Sequence, residues 1–303
     1  MVSYYADQLF NHLVCRPALP LDTKDMLELT SQIWEGDDYV PKVWHDWLFD
    51  PDGLFAAAVL KGKVVGLGKL TKLSPQDWWL EGLRVHPRFE ARGIASHIHR
   101  YLLDYWEQTG TGMIRFATVS TREQVKHLAE ATRFRIVGEY STFTSSMRRS
   151  HIEKSFPFTL ITEEEIGKVI EWFASNSAEC LNFGLMNLGW QFAPPQKDFI
   201  AEYLVEKKLW WWKQDRGILL LVEKNDGLDT WGRIQHLVCS FEDISEVLSD
   251  TNWLADRFAY RGITWIGPLI PGIEGKTSEA GFQRDWDSSL LVYEKSFNRK
   301  QDN

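Results

Sequence analysis

The stretch Leu80–Trp106, LEGLRVHPRFEARGIASHIHRYLLDYW, decides how the chain is read. An apolar strand ends at Val85, and Pro87 cannot extend a ladder, so the chain must turn. A loop then enters a helix through Arg92-Gly93-Ile94-Ala95. Small residues at Gly93 and Ala95 let backbone N–H groups stand clear. Free N–H groups and the macrodipole at a helix N-terminus make an anion site. Strand, small-residue loop and helix in that order form a cradle for a diphosphate. The helix, Gly93 to Gln108, sets Ile94, Ile98, Tyr101, Leu102 and Tyr105 on one face, and Gly110 stops it. Alone, a Gly-x-Ala turn is only a helix start with a glycine for close packing; the surrounding pattern gives it weight.

Strand and helix signals alternate on both sides of this stretch. His12 to Pro17 reads as a strand and Thr23 to Ile33 as a helix capped by Asp22 or Thr23. Pro41 opens a second short helix, Lys42 to Phe49. Leu54 to Leu60 and Lys63 to Lys72 form a hairpin across Lys61-Gly62. Trp78 to Val85 is the strand that leads into the cradle. Met113 to Val119 is a strand, Glu123 to Thr132 a helix and Arg135 to Phe143 a strand. The fold class predicted is mixed α/β (α+β): a mostly antiparallel sheet flanked by helices, complete within residues 1–150. His151 to Pro157 reads as a linker. Residues 151–303 echo the order: helices Glu163–Asn176 and Pro195–Lys208, strands Gly217–Lys224 and Gly232–Phe241, helix Ile244–Arg261, and strands Ile263–Leu269 and Leu290–Lys295. This second domain has no Val-x-Pro and no small-residue loop. Ser240-Phe241-Glu242-Asp243, half of it acidic, precedes its helix, so it should bind no anion there.

Composition narrows the function classes. The 303 residues are 44% apolar and 25% charged, ordinary for a globular chain long enough to bury a core. The formal net charge is −8, which excludes a nucleic-acid binder working through bulk charge. No run of eighteen apolar residues predicts a membrane span, and the N-terminus lacks the basic region of a secretory signal. Cys15, Cys180 and Cys239 are far apart, so they read as reduced thiols in a cytoplasmic protein and not as a zinc site. His97 and His99 are two apart on a helix and do not share a face, so no metal is expected. The 15 Trp are unusual; they suit core packing and, for some, a pocket wall.

The segment Val85-His86-Pro87 followed by Glu90-Ala91-Arg92-Gly93-Ile94-Ala95 resembles the signature of the GNAT superfamily of acetyl-CoA-dependent N-acetyltransferases. That signature is Val-x-Pro, a short spacer, (Gln/Arg)-x-x-Gly-x-(Gly/Ala) and a helix. Glu90 departs from it. A carboxylate beside a diphosphate is unfavourable, so Glu90 should point away, with Arg88 or Arg92 supplying positive charge. Beyond the motif, IWEGDDYVPKVWHDWLFDPDG (Ile33–Gly53), LEGLRV, DTWGRIQHLVCS and LLVYEKS resemble the vertebrate histidine N-acetyltransferase-like family over nearly the whole chain. This resemblance implies a catalytic domain over 1–150, a degenerate GNAT-like domain over 151–303, acetyl-CoA as co-substrate, and a free amino acid such as histidine as acceptor. The cofactor contacts it implies are Leu83, Arg84, Val85, Arg88, Ala91, Arg92, Gly93, Ile94, Ala95 and Ser96.

The chemistry can be stated without the family. An amine must attack a thioester carbon as the neutral base, so its proton needs an acceptor. Glu81, four residues before Val85, is the candidate base; it also reads as a strand residue paired with Arg84. The Tyr that serves as general acid in the superfamily is replaced by Ala129, with Tyr140 and Tyr105 as substitutes that also read as core. Trp34, Tyr39, Trp44 and Trp47 can wall a small acceptor pocket, or pack two short helices. Glu35, Asp37 and Asp38 suit a cationic acceptor or form a solvated acidic turn. A substrate carboxylate would need a cation: Arg84, Lys42 or Lys69. Strand alternation predicts that only one of Glu81 and Arg84 faces the cleft. The aromatic loop Gly189–Phe192 is placed near that cleft. The partner expected is a small-molecule amine, for a monomer or homodimer. The alternatives are a polyamine or other small cationic amine, or a non-catalytic acetyl-CoA-binding protein. A protein-lysine acetyltransferase is disfavoured, because the aromatic stretch and the extra domain suit a closed pocket.

Overall fold

A computed structural model describes residues 12–146, 156–175 and 181–297. The linker reading at His151–Pro157 falls largely outside these residues, as does Cys180. The chain divides into two compact units. Among the described residues the first holds 12–116, 128–134 and 294–297, and the second 117–127, 135–146, 156–175 and 181–293.

In the first unit, strand β1 (Leu13–Pro17) pairs antiparallel with β2 (Leu54–Leu60), β2 with β3 (Lys63–Lys72) and β3 with β4 (Asp77–Val85). The β2–β3 turn places Lys61 at φ 50° and Gly62 at φ 80°. Two consecutive positive φ values match the twist of a two-residue hairpin, as the Lys-Gly pair predicts. Helix α1 (Thr23–Thr30) and helix α2 (Val40–Leu48, opened by Pro41) cover one face of this sheet. Their core joins Met26, Val40, Trp44, Phe55, Ala57, Val64 and Leu67. Helix α3 (Ile94–Thr109) covers the other face. It lies so close that a side chain at Gly66 would come within 2.7 Å of Ile98, and one at Gly68 within 2.7 Å of Ile98 and 3.1 Å of Leu102. Glycine is needed at both because the helix backbone approaches the strand there.

Strand β5 (Met113–Val119) runs parallel to β4, but the ladder covers only Asp77–Trp79 against Met113–Arg115. Arg115 is buried there between two carboxylates, Asp77 at 2.5 Å and Glu294 at 2.7 Å. Ser74 donates to the second oxygen of Asp77 at 2.8 Å. Removing one partner from such a buried network costs about 3–5 kcal/mol, because an uncompensated charge is left behind. Helix α4 (Glu123–Ala131) ends near His99, whose ring is buried against Phe116 and Phe134 and bonds Thr132 at 3.1 Å.

The second unit contains strands β6 (Arg135–Ser145), β7 (Phe158–Leu160), β8 (Met186–Asn187), β9 (Phe192–Ala193), β10 (Leu209–Trp212), β11 (Gly217–Asp226), β12 (Asp229–Cys239), β13 (Ile263–Pro268) and β14 (Gln283–Arg284). The order β6-β13-β12-β11-β10-β7 makes its sheet, with β14 beside β6 and β8–β9 a separate ribbon. Helices α5 (Ile166–Ser175), α6 (Lys197–Val205), α7 (Ile244–Arg257) and α8 (Ile273–Glu279) complete it. The last strand, β15 (Leu290–Ser296), begins in this unit and ends in the first. The observed class is the one expected: mixed α/β, mostly antiparallel, flanked by helices.

Candidate functional site

The site is built from β4, the loop after it and the start of α3. Residues 86–93 form the loop. Within it, the His86 ring accepts a hydrogen bond from the Arg88 amide at 3.2 Å, which ties down the turn that Pro87 imposes. Ala91 (φ 56°) and Gly93 (φ 78°) are both left-handed. Left-handed residues within a turn aim successive N–H groups into one concavity. The first helical bond runs from the His97 amide to Gly93 O at 3.1 Å. The amides of Ile94, Ala95 and Ser96 therefore have no acceptor within the helix. Arg88, Ala91, Arg92 and Gly93 are exposed around them, and the Arg92 guanidinium sits 5.8 Å from the Phe89 ring. These features fit a diphosphate. Glu90 is exposed as well.

Strand β4 carries a bulge at mid-length. Lys69 pairs with Glu81 and Leu67 with Arg84, so Gly68 opposes both Gly82 and Leu83. Gly82 has φ 63°, and a side chain there would meet the Trp47 ring at 2.6 Å. A glycine inside a strand is the sequence signal for this bulge. The consequence corrects the alternation argument. Leu67 and Lys69 share a face, so their partners Arg84 and Glu81 share it too, and both face the side of α1 and α2. Leu83 and Val85 face α3; the Leu83 side chain would lie 3.7 Å from a Cβ on Gly68. Beyond Trp79 the ladder to β5 has stopped, and within Leu80–Val85 the Gly82 amide donates to the Tyr39 hydroxyl.

The Glu81 face is polar at its centre. The Glu81 carboxylate accepts a bond from Thr71 at 2.6 Å. Beside it Lys69 is fully buried, paired with Asp50 and donating to Leu70 O at 2.8 Å. Burial pushes the Lys69 ammonium down, while Asp50 and Glu81 oppose that shift. Burial alone would raise the Asp50 carboxyl, but Lys69 and the amides of Asp52 and Gly53 hold it below the usual range. Lys69 is thus no surface lysine. Lys42 is exposed.

Arg84 is also committed. Its Nε lies 2.8 Å and its Nη2 3.1 Å from the two oxygens of Asp38, whose carboxylate is fully buried. Its guanidinium lies 4.4 Å from the Trp34 ring and 5.2 Å from the Tyr39 ring. The expectation that Asp38 is a solvated acid is therefore corrected, and the Arg84 side chain, a candidate for a substrate carboxylate, is already engaged by Asp38. The bulge turns Arg84 towards α2. Glu35 and Asp37 are exposed.

Three of the four expected wall aromatics come together. Tyr39 packs edge-on to Trp47 at 5.9 Å, and Trp47 lies over Gly82. Trp34 is 49% exposed above Arg84. Tyr39 keeps 38% of its surface exposed, yet burial at its hydroxyl raises its pKa, with Arg84 opposing and Glu81 and Asp38 adding. Trp44 does not join them. It is 1% exposed in the core and its indole donates to Thr23 at 3.0 Å, a correction due to its position on the inner face of α2. Ala129 is buried, and Tyr105 is half-buried on α3. Tyr140 lies in the second unit, 1% exposed, its hydroxyl donating to Asn182 O at 2.8 Å. That bond and its packing on Phe192 make it a core residue. The Gly189–Phe192 loop also belongs to the second unit, where Trp190 stacks on Trp286 at 6.0 Å.

Comparisons with known proteins agree with this geometry. The model of the Acetyltransferase (GNAT) family matches residues 22–133, which hold the bulge, the cradle and the wall. "Probable N-acetyltransferase 16" of Homo sapiens is 33% identical over 79 residues, 26% of this chain and 21% of that protein. "Histidine N-acetyltransferase" of Xenopus tropicalis is 26% identical over 121 residues, 38% of this chain and 36% of that protein. The matched stretches thus span well under half of either relative. In fold, a GCN5-related N-acetyltransferase from Sphaerobacter thermophilus superposes with a TM-score of 0.63 at 12% identity, covering 95% of this chain and 97% of its own. Residues 22–133 of the chain are thus similar to the acetyltransferase (GNAT) family.

Proposed function

We propose that the protein moves an acetyl group from acetyl-CoA to the amine of a small molecule, and that the acceptor is the α-amine of a free amino acid such as histidine. The observation that carries the reading is one strand with an anion cradle at its end and a half-buried carboxylate, Glu81, at the bulge before it. The amides of Gly93, Ile94, Ala95 and Ser96 and the guanidinium groups of Arg88 and Arg92 suit the diphosphate. The backbone at Leu83 and Val85, beyond the end of the β5 ladder, suits the pantetheine arm as an added strand, with Ala91 shaping the turn. Acetyl-CoA would supply an acyl carbon activated as a thioester. Glu81, held as a carboxylate acceptor by Thr71, takes the proton that the amine loses as its nitrogen bonds that carbon. The C–S bond breaks and the electron pair leaves with the thiolate, a fair leaving group that needs no dedicated acid at position 129.

Residues 1–150 are read as the catalytic domain and 151–303 as a degenerate GNAT-like domain. The second unit repeats a bulged strand, parallel to its next strand, that feeds a helix, but its helix starts at a carboxylate, Asp243. The widely spaced thiols, of which Cys15 and Cys239 are free, support a reducing cytoplasm. The reading carries a small-molecule partner and a monomer or homodimer.

The amino-acid acceptor draws its support from the resemblance to the histidine enzyme of Xenopus. A second reading, a small cationic amine, is favoured by the engagement of Arg84 with Asp38 and of Lys69 with Asp50, which leaves each cation near Glu81 already neutralised. Release of free CoA, followed with a thiol reagent, separates them. Rapid turnover of histidine with strong rejection of histamine supports a carboxylate-binding site, because unpaired buried donors reject the analogue. Equal turnover of histamine or spermidine replaces it with the cationic reading. No CoA release across amino acids and polyamines leaves a binding protein without transfer.

A further inference from the structure

We propose that Arg84 is a positioning residue: by gripping Asp38 and stacking on Trp34 and Tyr39, it fastens the aromatic acceptor wall over the Glu81 face of β4. The inference rests on the acetyl-transfer reading for what the wall binds, and on geometry for how the wall is held.

The wall segment closes two turns of its own, Gly36 N–H to Ile33 O at 2.9 Å and Asp37 N–H to Trp34 O at 3.0 Å, but in an unfavourable hand. Trp34, Glu35 and Gly36 are consecutive left-handed residues, with φ of 47°, 57° and 90°. A Trp and a Glu adopt that hand only where their surroundings impose it. Trp34 is half exposed, so burial does not impose it. Among the described contacts the partner of its ring is the Arg84 guanidinium, 4.4 Å away. The flat face of that guanidinium suits aromatic stacking, while its fork matches both oxygens of one carboxylate.

Asp38 is the second point of attachment. Its Oδ1 accepts the Val40 amide at 3.2 Å at the start of α2, and both its oxygens meet Arg84. A single buried carboxylate thus joins the helix start to the bulged strand. Arg84 also donates to Leu83 O at 3.2 Å, on the strand itself. The bulge makes this possible, since without the extra residue Arg84 would point to α3. Arg84 therefore sets where Trp34 and Tyr39 stand relative to Glu81, without touching a reacting atom.

The test uses the full chain and the conservative variant Arg84→Lys, which keeps the charge but loses the fork and the flat face. The KM for the best acceptor should rise about tenfold, as for a lost bidentate contact, while kcat at saturation and the acetyl-CoA Kd stay within about threefold of the parent. Trp34→Ala, at an exposed position, should reproduce the KM rise and guards against misfolding of the first variant. Hydrogen exchange gives an arm that needs no turnover: amides of residues 34–39 should exchange about tenfold faster in Arg84→Lys, with α3 unchanged. An unchanged KM together with unchanged exchange overturns the proposal. So does a loss of acetyl-CoA affinity that exceeds the change in KM, which would return Arg84 to the cofactor. If the parent turns over no amine, the acetyl-transfer reading fails, and the exchange result alone decides whether Arg84 holds the wall.

Discussion

The two units carry the same arm built to opposite ends. In each, a strand is parallel to its next strand over three residue pairs, bulges against its hairpin partner, and feeds a helix. In the first unit the pair before the bulge holds Glu81, and in the second it holds Ile234, fully buried. The pair after the bulge holds Arg84 in one and buried His236 in the other. Eight residues, 86–93, link strand to helix in the first unit, and left-handed Gly93 leaves the helix amides clear. Four, 240–243, do so in the second. There the position before the helix is Asp243, whose carboxylate is engaged by Arg216, and whose amide bonds Ser240. That carboxylate makes no bond to the helix amides, but its negative charge at the helix start disfavours a second anion there. The bulged arm persists without the long glycine loop, so sheet and bulge belong to the fold, and the loop is what the first unit adds to it.

The comparison can be broken first at the carboxylate. Glu81→Gln should lower kcat by about 10²–10⁴-fold with acetyl-CoA affinity unchanged, and the loss should shrink as pH rises and more amine is already neutral. Steady-state rates across pH check it; an effect below about threefold at every pH returns Glu81 to a structural role.

It can be broken next at the cradle. Gly93→Asp puts a negative side chain, in a strained hand, where the first unit differs most from the second. Acetyl-CoA affinity should fall by about 100-fold or more, read by calorimetry. Calorimetry on the parent should give one site per chain, since Asp243 disfavours an anion at the second arm.

Acidity sharpens the comparison, because each unit buries a neutral histidine. Burial pushes His99 down to about 4, and His236 down to about 3. Both rings take a proton in the unfolded chain below about 6.5 and resist it when folded. Their contribution is complete above pH 6.5 and declines as pH falls towards 4 and then 3. At about 1.4 kcal/mol per unit of separation, His99 accounts for up to about 3 kcal/mol. Urea melts from pH 7 to 4 should show the decline, and His99→Asn should flatten its share.

The smallest contrast lies in the bulges. Gly82→Ala forces a left-handed alanine into the Trp47 ring and should cost about 1–3 kcal/mol. Gln235→Ala, at a bulge without glycine, removes only long bonds to Asn187 and Tyr203, at 3.3 and 3.4 Å, and should cost less than about 1 kcal/mol. Paired urea melts decide it; equal losses would mean that the two bulges are not held differently.

Much of the first unit was legible. The hairpin Leu54–Leu60/Lys63–Lys72 and the strand Met113–Val119 have the predicted bounds, because turn glycines and apolar runs are local signals. The cradle was legible for the same reason. The Glu81 face was not, because a bulge at Gly82 changes which residues share a face. Asp50, Thr71 and the Arg84–Asp38 pair escaped because partners 10 to 46 residues apart meet only through sheet register. Trp44 was misassigned because a helix with aromatics at 44 and 47 does not announce which faces inward. In the second half, β10 was lost: Trp210-Trp211-Trp212 is buried on both faces, so it lacks the alternation that marks a strand.

The carboxylate that closes the buried pair around Arg115 comes from Glu294, 179 residues further along the chain. Ribosomes add roughly 5–20 residues per second, so Arg115 leaves the exit tunnel roughly 10–40 s before its partner exists. The first unit cannot complete its interior in order of synthesis, and a fragment ending near residue 150, the natural one to express, would leave Arg115 with Asp77 as its one carboxylate of the two.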